Sequence, residues 1–306
     1  MQDIYLSQKE ANIVSLDQLD ETHGISAKPA RIYSRFFGQT GVRLSKLLHN
    51  AMLIDALQGL LLRCPELRDI DGFGIYAKTQ THNTPFERDW LAEVFAHVGL
   101  GHWEVLTFSM TNCASGLAAV HLGATLDKPF IVLAGEKAFH SAGNRLSVGL
   151  LGEAAVSVLF APGGDFRLRG TDVAHLPRYF TNPDDLPAGD RKALQTDFEE
   201  GLAQFLQDII TKDPEFFASD PIIVPYNLNP PLVDRVLART GLDRNVTAGA
   251  DPQNGHMFCS DIFHSLARSM PSDGASVFLF AAGHGVTFAA LKLEPNSRNS
   301  SEKENQ

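Results

Sequence analysis

Cys113 lies in the run Phe108-Ser-Met-Thr-Asn-Cys-Ala-Ser-Gly-Leu-Ala-Ala-Val120. The stretch Trp103 to Met110 before it predicts a strand, and the apolar periodicity of Ser115 to Leu126 after it predicts a helix. A thiol at such a junction sits near the positive end of the helix, where thiolate is favoured and the thiol pKa falls. Thiolate attacks carbonyl carbon, and the small neighbours Ala114, Ser115 and Gly116 leave room for an acyl thioester. The competing reading is a buried free cysteine acting as a small hydrophobe. Cys259 is a rival thiol without an evident strand-to-helix setting. The 11 histidines show no metal-site spacing and no His-Glu-x-x-His pattern, and Gly163-Gly164 lacks the lysine and helix of a phosphate loop. His140 and His264 read as surface or satisfied core residues.

The elements that would position Cys113 alternate in type. Helical spacing predicts helices over Leu44 to Leu62, Pro85 to Val98, Asp190 to Ile210, Pro231 to Thr240 and Asp261 to Met270. Apolar runs predict strands at Ile4 to Leu6, Ile70 to Ala77, Phe130 to Ala134, Ala154 to Phe160, Ile222 to Val224, Ser276 to Ala281 and Val286 to Leu293. Pro162-Gly163-Gly164 reads as a midpoint, dividing the chain into halves 1–163 and 164–295, with a polar tail 296–306 that frays from Glu294. No residue-level repeat links the halves. The fold class is α/β, with two similar layered halves.

Composition sets outer limits. The 306 residues are 44% hydrophobic and 20% charged, enough for one large domain or two fused halves. A net charge of -10 argues against general nucleic-acid binding, while leaving room for a local basic patch. Three cysteines suit a reducing cytoplasm better than a disulfide framework. The start Met-Gln-Asp-Ile-Tyr is unlike a signal segment, and no apolar run approaches the roughly 18 residues a membrane span needs. The expectation is a soluble cytoplasmic protein without membrane or nucleic-acid partners.

Taken in order, four stretches resemble the thiolase-like condensing enzymes, most closely β-ketoacyl-acyl carrier protein synthase III. Thr111-Asn-Cys-Ala-Ser-Gly-Leu117 is similar to the family's nucleophile turn, and Phe130-Ile-Val-Leu-Ala-Gly-Glu-Lys137 to the strand that follows. Leu151-Gly-Glu-Ala-Ala-Val-Ser-Val-Leu-Phe160 is similar to its Gly-Asp-Gly-Ala strand, and Ala281-Ala-Gly-His-Gly-Val-Thr-Phe288 to its closing glycine loop. The resemblance spans about Arg31 to Leu293. It implies a thiolase-like fold of two pseudo-symmetric halves in an αβαβα layering, and a homodimer.

The departures from the family's Cys, His and Asn set matter most. The family's His-Gln-Ala-Asn stretch reads Pro225-Tyr-Asn-Leu-Asn229 here, so Tyr226 stands at the His position and Asn229 keeps the last one. The family's Gly-Asn-Thr-Ser stretch reads Gly255-His-Met-Phe, so His256 stands at the Asn position. The usual pair of donors for a decarboxylating condensation is thereby broken, although Tyr226 can still donate one hydrogen bond. Acyl transfer instead needs a base at the acceptor, a role suited to His256 with an ordinary pKa of about 6.5. Asp261, a carboxylate five positions on, would orient the ring or cap the helix that starts there. Gly285 matches the family glycine whose N–H, with that of Cys113, forms the oxyanion hole; a tight turn is its other reading. His284 beside it has no assigned role, and Asn229 also suits a plain turn before two prolines.

The resemblance implies no bound cofactor, the substrate being an acyl thioester of coenzyme A or phosphopantetheine. The family's coenzyme A stretch reads Arg35-Phe-Phe-Gly-Gln-Thr-Gly-Val-Arg43 here and lacks its Trp. Arg35 and Arg43 are the candidate phosphate contacts, and with Arg31 and Lys46 a candidate patch for an acidic acyl carrier protein. The functional expectation is an acyltransferase in secondary-metabolite biosynthesis that loads Cys113. The alternatives are a decarboxylative carbon–carbon condensing enzyme and a non-catalytic partner subunit.

Overall fold

The structure, a computed structural model, describes residues 1, 3–7, 9–19, 25–79, 89–109, 111–137, 145–176, 186–246, 251–271, 274–283 and 287–296. The elements of the first half are β1 (Asp3–Leu6), β2 (Ala11–Ser15), α1 (Ala27–Phe37), β3 (Gly41–Ser45), α2 (His49–Arg63), β4 (Phe73–Ala77), α3 (Trp90–His97), β5 (Glu104–Phe108), α4 (Ser115–Gly123), β6 (Phe130–Glu136), β7 (Arg145–Leu146), β8 (Gly149–Leu150) and β9 (Ala154–Phe160). There follow β10 (Phe166–His175), α5 (Ala188–Lys212), α6 (Pro214–Ala218), β11 (Ile222–Pro225), α7 (Pro230–Thr240), α8 (Asp261–Ser269), β12 (Val277–Gly283) and β13 (Thr287–Pro295). Among the described residues no helix is long and apolar enough to cross a membrane.

Two sheets organise these elements. One has the order β1-β9-β6-β4-β5, with β4 parallel to both β5 and β6, and β9 antiparallel to β1 and β6. The other has the order β10-β13-β12-β11, with only β11 and β12 parallel. β6 and β9 are buried along their whole length, as apolar runs without polar alternation require when both faces of a sheet are covered.

The cover on the inner faces is the pair α4 and α8. α4 meets β4 and β6 of one sheet and β10, β12 and β13 of the other, while α8 meets β1 and β9 of one and β11 and β12 of the other. A helix packed on all sides needs little polar sequence, and α4 reads Ser-Gly-Leu-Ala-Ala-Val-His-Leu-Gly. Full burial of Leu117 and Val120 stabilises it by about 1.5–3 kcal/mol each, more than the ~1 kcal/mol that Gly116 costs a helix. α2 covers the outer face of the first sheet, with α3 against it. Phe198 and Phe205 of α5 pack on Phe288, and Phe217 of α6 meets Phe278 edge-on, covering the second sheet. The resulting layers run helix, sheet, helix, sheet, helix.

Several expected boundaries move. The helix expected from Leu44 begins only at His49, because residues 41–45 pair as β3 with β2. The strand expected from Ile70 starts at Phe73, after a 3-10 turn at Pro65–Asp69. α4 stops at Gly123 rather than Leu126. Only Trp90–His97 of the expected helix Pro85 to Val98 is described as helix, residues 80–88 lying outside the described set. Glu294 is not frayed: it sits in β13 and pairs with Arg167 and Arg169 of β10. α1 and β10 were not anticipated at all.

Candidate active site

Cys113 occupies a 3-10 turn, Asn112–Ala114, between β5 and α4. Asn112 enters that turn at φ 49°, a left-handed conformation that Asn adopts more readily than most side chains. Thr111 Oγ1 and Ser115 Oγ, 2.9 Å apart, hydrogen-bond across the turn. Gly283 ends β12 directly against it, and a Cβ there would collide with the Thr111 carbonyl oxygen. The end of the second sheet therefore abuts the Cys113 turn. The Cys113 thiol is buried.

The same construction recurs in the second half. Phe258, at φ 53°, opens the 3-10 turn Phe258–Ser260, Cys259 follows it, and α8 begins at Asp261. Cys259 thus has the turn-to-helix setting that its sequence did not reveal, which corrects the expectation. Its surroundings nevertheless hold it as a thiol. It is fully buried, its thiol donates to the Ala77 carbonyl at 3.2 Å, and burial first, then the Glu136 charge, push its pKa well up.

His256 precedes this second turn. Its N–H donates to the Leu150 carbonyl at 2.8 Å, and its own carbonyl accepts from Gly152 N–H at 2.9 Å. This short parallel bridge fixes the loop on the first half. The ring is buried, with Nδ1 3.3 Å from Asp261 Oδ2. At that separation, and with neither ring nitrogen in a well-formed hydrogen bond, the contact is charge attraction first. Burial is the largest single influence on the ring and opposes its charge. The charges of Cys113 and Asp261, with polar contacts to both, together outweigh burial and push the His256 pKa up to about 10.

Asp261 is the first residue of α8, not its N-cap, which is Ser260. Its carboxylate accepts the N–H of Met257 at 3.1 Å on Oδ1 and that of Asn227 at 2.6 Å on Oδ2. Donors from two loops thus fix the carboxylate toward His256. Tyr226 is also buried beside these groups, edge-on to Phe280 at a centroid distance of 6.1 Å. Burial, then the Cys113 charge, push its hydroxyl pKa up, so it is a donor at any ordinary pH. His264, one turn into α8, is a core residue whose pKa burial lowers to about 4.

A cavity of about 290 Å³ opens beside this cluster and has His256 in its wall. Phe37 to Gln39 at and after the end of α1, Val148 to Leu150, Asn227 to Pro230, and Asp251, Pro252 and Gly255 complete the lining. Cys113 is not in the wall; His256 is the group of the cluster that the cavity reaches. Asn229 is half-buried there, at φ 53° as the residue before α7, and its side chain makes no cap hydrogen bond.

Cys113, His256, Asp261 and Tyr226 therefore converge, with Asn229 on the adjoining wall. Gly285, His284 and His140 lie outside the described residues. Arg31 and Arg35 are exposed on α1, and Lys46 is exposed just after β3. Arg43 does not join them. It faces inward in β3, is buried, and donates from Nη2 to the Ser7 carbonyl at 3.0 Å, so it is no surface contact for phosphate.

Two residues escaped the sequence reading. Asn227 donates its amide to the carbonyls of Gly255 at 2.9 Å and Asp251 at 3.2 Å, tying the Tyr226 loop to the His256 loop. Nothing in the spacing separated it from Asn229. Glu136 is a buried carboxylate that accepts from Thr79 N–H at 2.6 Å, while Thr79 Oγ1 accepts from Cys259 N–H at 3.0 Å. Its signal was available: a lone carboxylate closing a run as apolar as Phe130 to Gly135 needs buried donors.

No family model and no curated protein matches the chain. Solved structures do match over nearly its whole length. ChlB3, an acyltransferase, superposes with a TM-score of 0.77 at 16% identity, covering 96% of this chain and 98% of its own. The 3-oxoacyl-[acyl-carrier-protein] synthase III of Aquifex aeolicus VF5 gives 0.73 at 14% identity, covering 95% and 97%. AbyA1, a tetronic acid condensing enzyme, gives 0.70 at 13% identity, covering 95% and 100%. At such identities the likeness concerns architecture, and the layers described above are those of the thiolase-like condensing enzymes: the chain has the thiolase-like fold.

Proposed function

We propose that the protein is an acyltransferase in which Cys113 takes an acyl group from a thioester and passes it to an acceptor. The Cys113 thiolate attacks the thioester carbonyl carbon. A carbon–sulfur bond forms to Cys113, the donor's own breaks, and the departing thiolate takes the His256 proton. Acylated Cys113 has no charge, so His256 loses one of the two attractions that held its proton. Burial then favours the neutral ring, which is a base. It removes the proton of a hydroxyl, amine or thiol acceptor as that group attacks the acyl carbon, and Cys113 departs as thiolate beside a renewed imidazolium. Asp261 orients the ring throughout, and the Cys113 N–H is one donor to the oxyanion, with Gly285 assigned as the second by resemblance.

The observation that carries this reading is the buried row of Cys113, His256 and Asp261 at the inner side of a cavity. The likeness to ChlB3 supports acyl transfer as the reaction. A secondary-metabolite pathway is the proposed setting, because Tyr226 and His256 replace residues that a primary fatty-acid enzyme would keep. Three free, buried cysteines suit a reducing compartment. The competing reaction, decarboxylative condensation, draws on Tyr226 as a hydrogen-bond donor near Cys113.

Intact-protein mass after incubation with an acyl thioester tests the reading. The expected result is one acyl addition, lost in Cys113→Ala, with no carbon dioxide released from a malonyl thioester. Absence of any addition refutes enzymatic acyl transfer, and carbon dioxide release that depends on Tyr226 reassigns the reaction to condensation.

A further inference from the structure

Asn227 ties three parts of the site together from one fixed point. Tyr226, just before it, donates its N–H to the Phe280 carbonyl at 3.2 Å, so the chain leaves the second sheet in a set direction. The Asn227 N–H then donates to Asp261 Oδ2 at 2.6 Å, and that same oxygen is the one 3.3 Å from His256 Nδ1. The side-chain Nδ2 donates to the carbonyls of Gly255 at 2.9 Å and Asp251 at 3.2 Å, at the two ends of the turn that leads into His256. An amide nitrogen carries two hydrogens, and each has a carbonyl here. Asn227 is buried, and it shares the cavity wall with Asp251, Gly255 and His256.

We propose that Asn227 is a positioning residue for His256 and that its effect is felt chiefly at one step, the transfer that follows acylation of Cys113. The proposal rests on the acyl-transfer reading of the same site. Before acylation two negative groups, the Cys113 thiolate and the Asp261 carboxylate, attract the ring and hold it. Acylation removes the first. Neither ring nitrogen is in a well-formed hydrogen bond, so the aim of the ring then depends on Asp261 and on the path of the loop. Asn227 sets the first through its main chain and the second through its side chain. That aim governs the rate, since a misplacement of about 1 Å costs about 100-fold. No side chain of similar size replaces the amide: leucine donates nothing, and an ionised aspartate sets a carboxylate against two carbonyl oxygens.

The experiment follows the two steps separately by intact-protein mass: gain of acetyl from acetyl-coenzyme A, then its loss to N-acetylcysteamine, a small thiol acceptor. In Asn227→Leu the loading rate should change less than about 3-fold and the transfer rate should fall at least about 10-fold. Unchanged transfer overturns the proposal. So does an equal loss in both steps, which would make Asn227 a general support of the fold. Asn227→Asp guards against a leucine variant that does not fold. Its carboxyl can donate one O–H only while protonated, so the ratio of its transfer rate to that of wild type should fall as pH rises from about 5 to about 8. A ratio constant with pH overturns the proposal. If the wild-type protein fails either step, that result counts against the acyl-transfer reading alone. Positioning is then read from hydrogen exchange in protein whose Cys113 is carbamidomethylated, an uncharged stand-in for the acylated sulfur. Exchange of the His256 N–H at least about 10-fold faster in Asn227→Leu supports the proposal, and exchange equal to wild type overturns it.

Discussion

In the proposed reaction the surroundings of His256 would change its chemistry in the course of a turnover. With Cys113 and Asp261 both near, its pKa stands at about 10; acylating the sulfur removes one of those charges. The rate at which pre-acylated protein transfers its group should therefore rise with pH through an apparent pKa well below 10, whereas a profile rising only near 10 would mean that Cys113 does not hold the His256 proton. Stability carries the complementary signature. A folded pKa above the unfolded value of about 6.5 stabilises the protein fully below pH 6.5, and the contribution is lost as pH rises through about 10. Chemical denaturation of wild type and His256→Gln should show a gap that closes over that window. Removing the other member of the pair is harsher: Asp261→Ala leaves a buried charge and two backbone donors without their acceptor, at a cost of about 3–5 kcal/mol. At this scale Cys113, His256 and Asp261 stand out in the sequence through short local motifs, and the structure brings the three together. Arg43 was misread because its burial depends on which face of the antiparallel pair β2 and β3 it occupies, a matter of pairing with residues 11–15 that charge alone does not reveal.

Elements were legible where one period dominates. Ala154–Phe160 and Asp190 to Ile210 emerged nearly as expected, the first an unbroken apolar run and the second a long amphipathic repeat. β10 did not, because its Arg167, Arg169 and Asp172 face partners on β13 and on or beside α5 and mask any apolar rhythm. α1 was obscured by Pro29 in its first turn and by its uncovered basic face. Nor was the likeness of the two turns legible, since Asn112-Cys113-Ala114 and Phe258-Cys259-Ser260 share only a cysteine and a backbone shape. Their meeting is close: a Cβ on Gly116 would stand 2.5 Å from the Cys259 carbonyl oxygen and 2.9 Å from the Phe263 ring. Gly116→Ala should thus destabilise the protein by about 1–3 kcal/mol through overpacking and, by prising α4 from the second turn, slow iodoacetamide alkylation of Cys113. A variant with unchanged melting temperature and alkylation rate would show that the helices separate freely.

On the scale of the whole molecule, the first sheet ends on one side in β5, which among the described residues pairs only with β4. Glu104, Leu106 and Thr107 of that strand are exposed. An open edge recruits another strand unless something blocks it, and we propose that the homodimer implied by the sequence resemblance would pair through it. Leu106→Asp should convert a dimer to a monomer in light scattering after gel filtration, and a wild-type monomer at micromolar concentration would refute the assignment. Within one copy, the halves are joined most tellingly where His256 meets residues 150–152 through main-chain hydrogen bonds alone. Main-chain bonds are blind to the side chain they carry. The backbone at position 256 is therefore held independently of the ring it carries, so His256→Gln should keep the path of the loop while removing the charge beside Asp261.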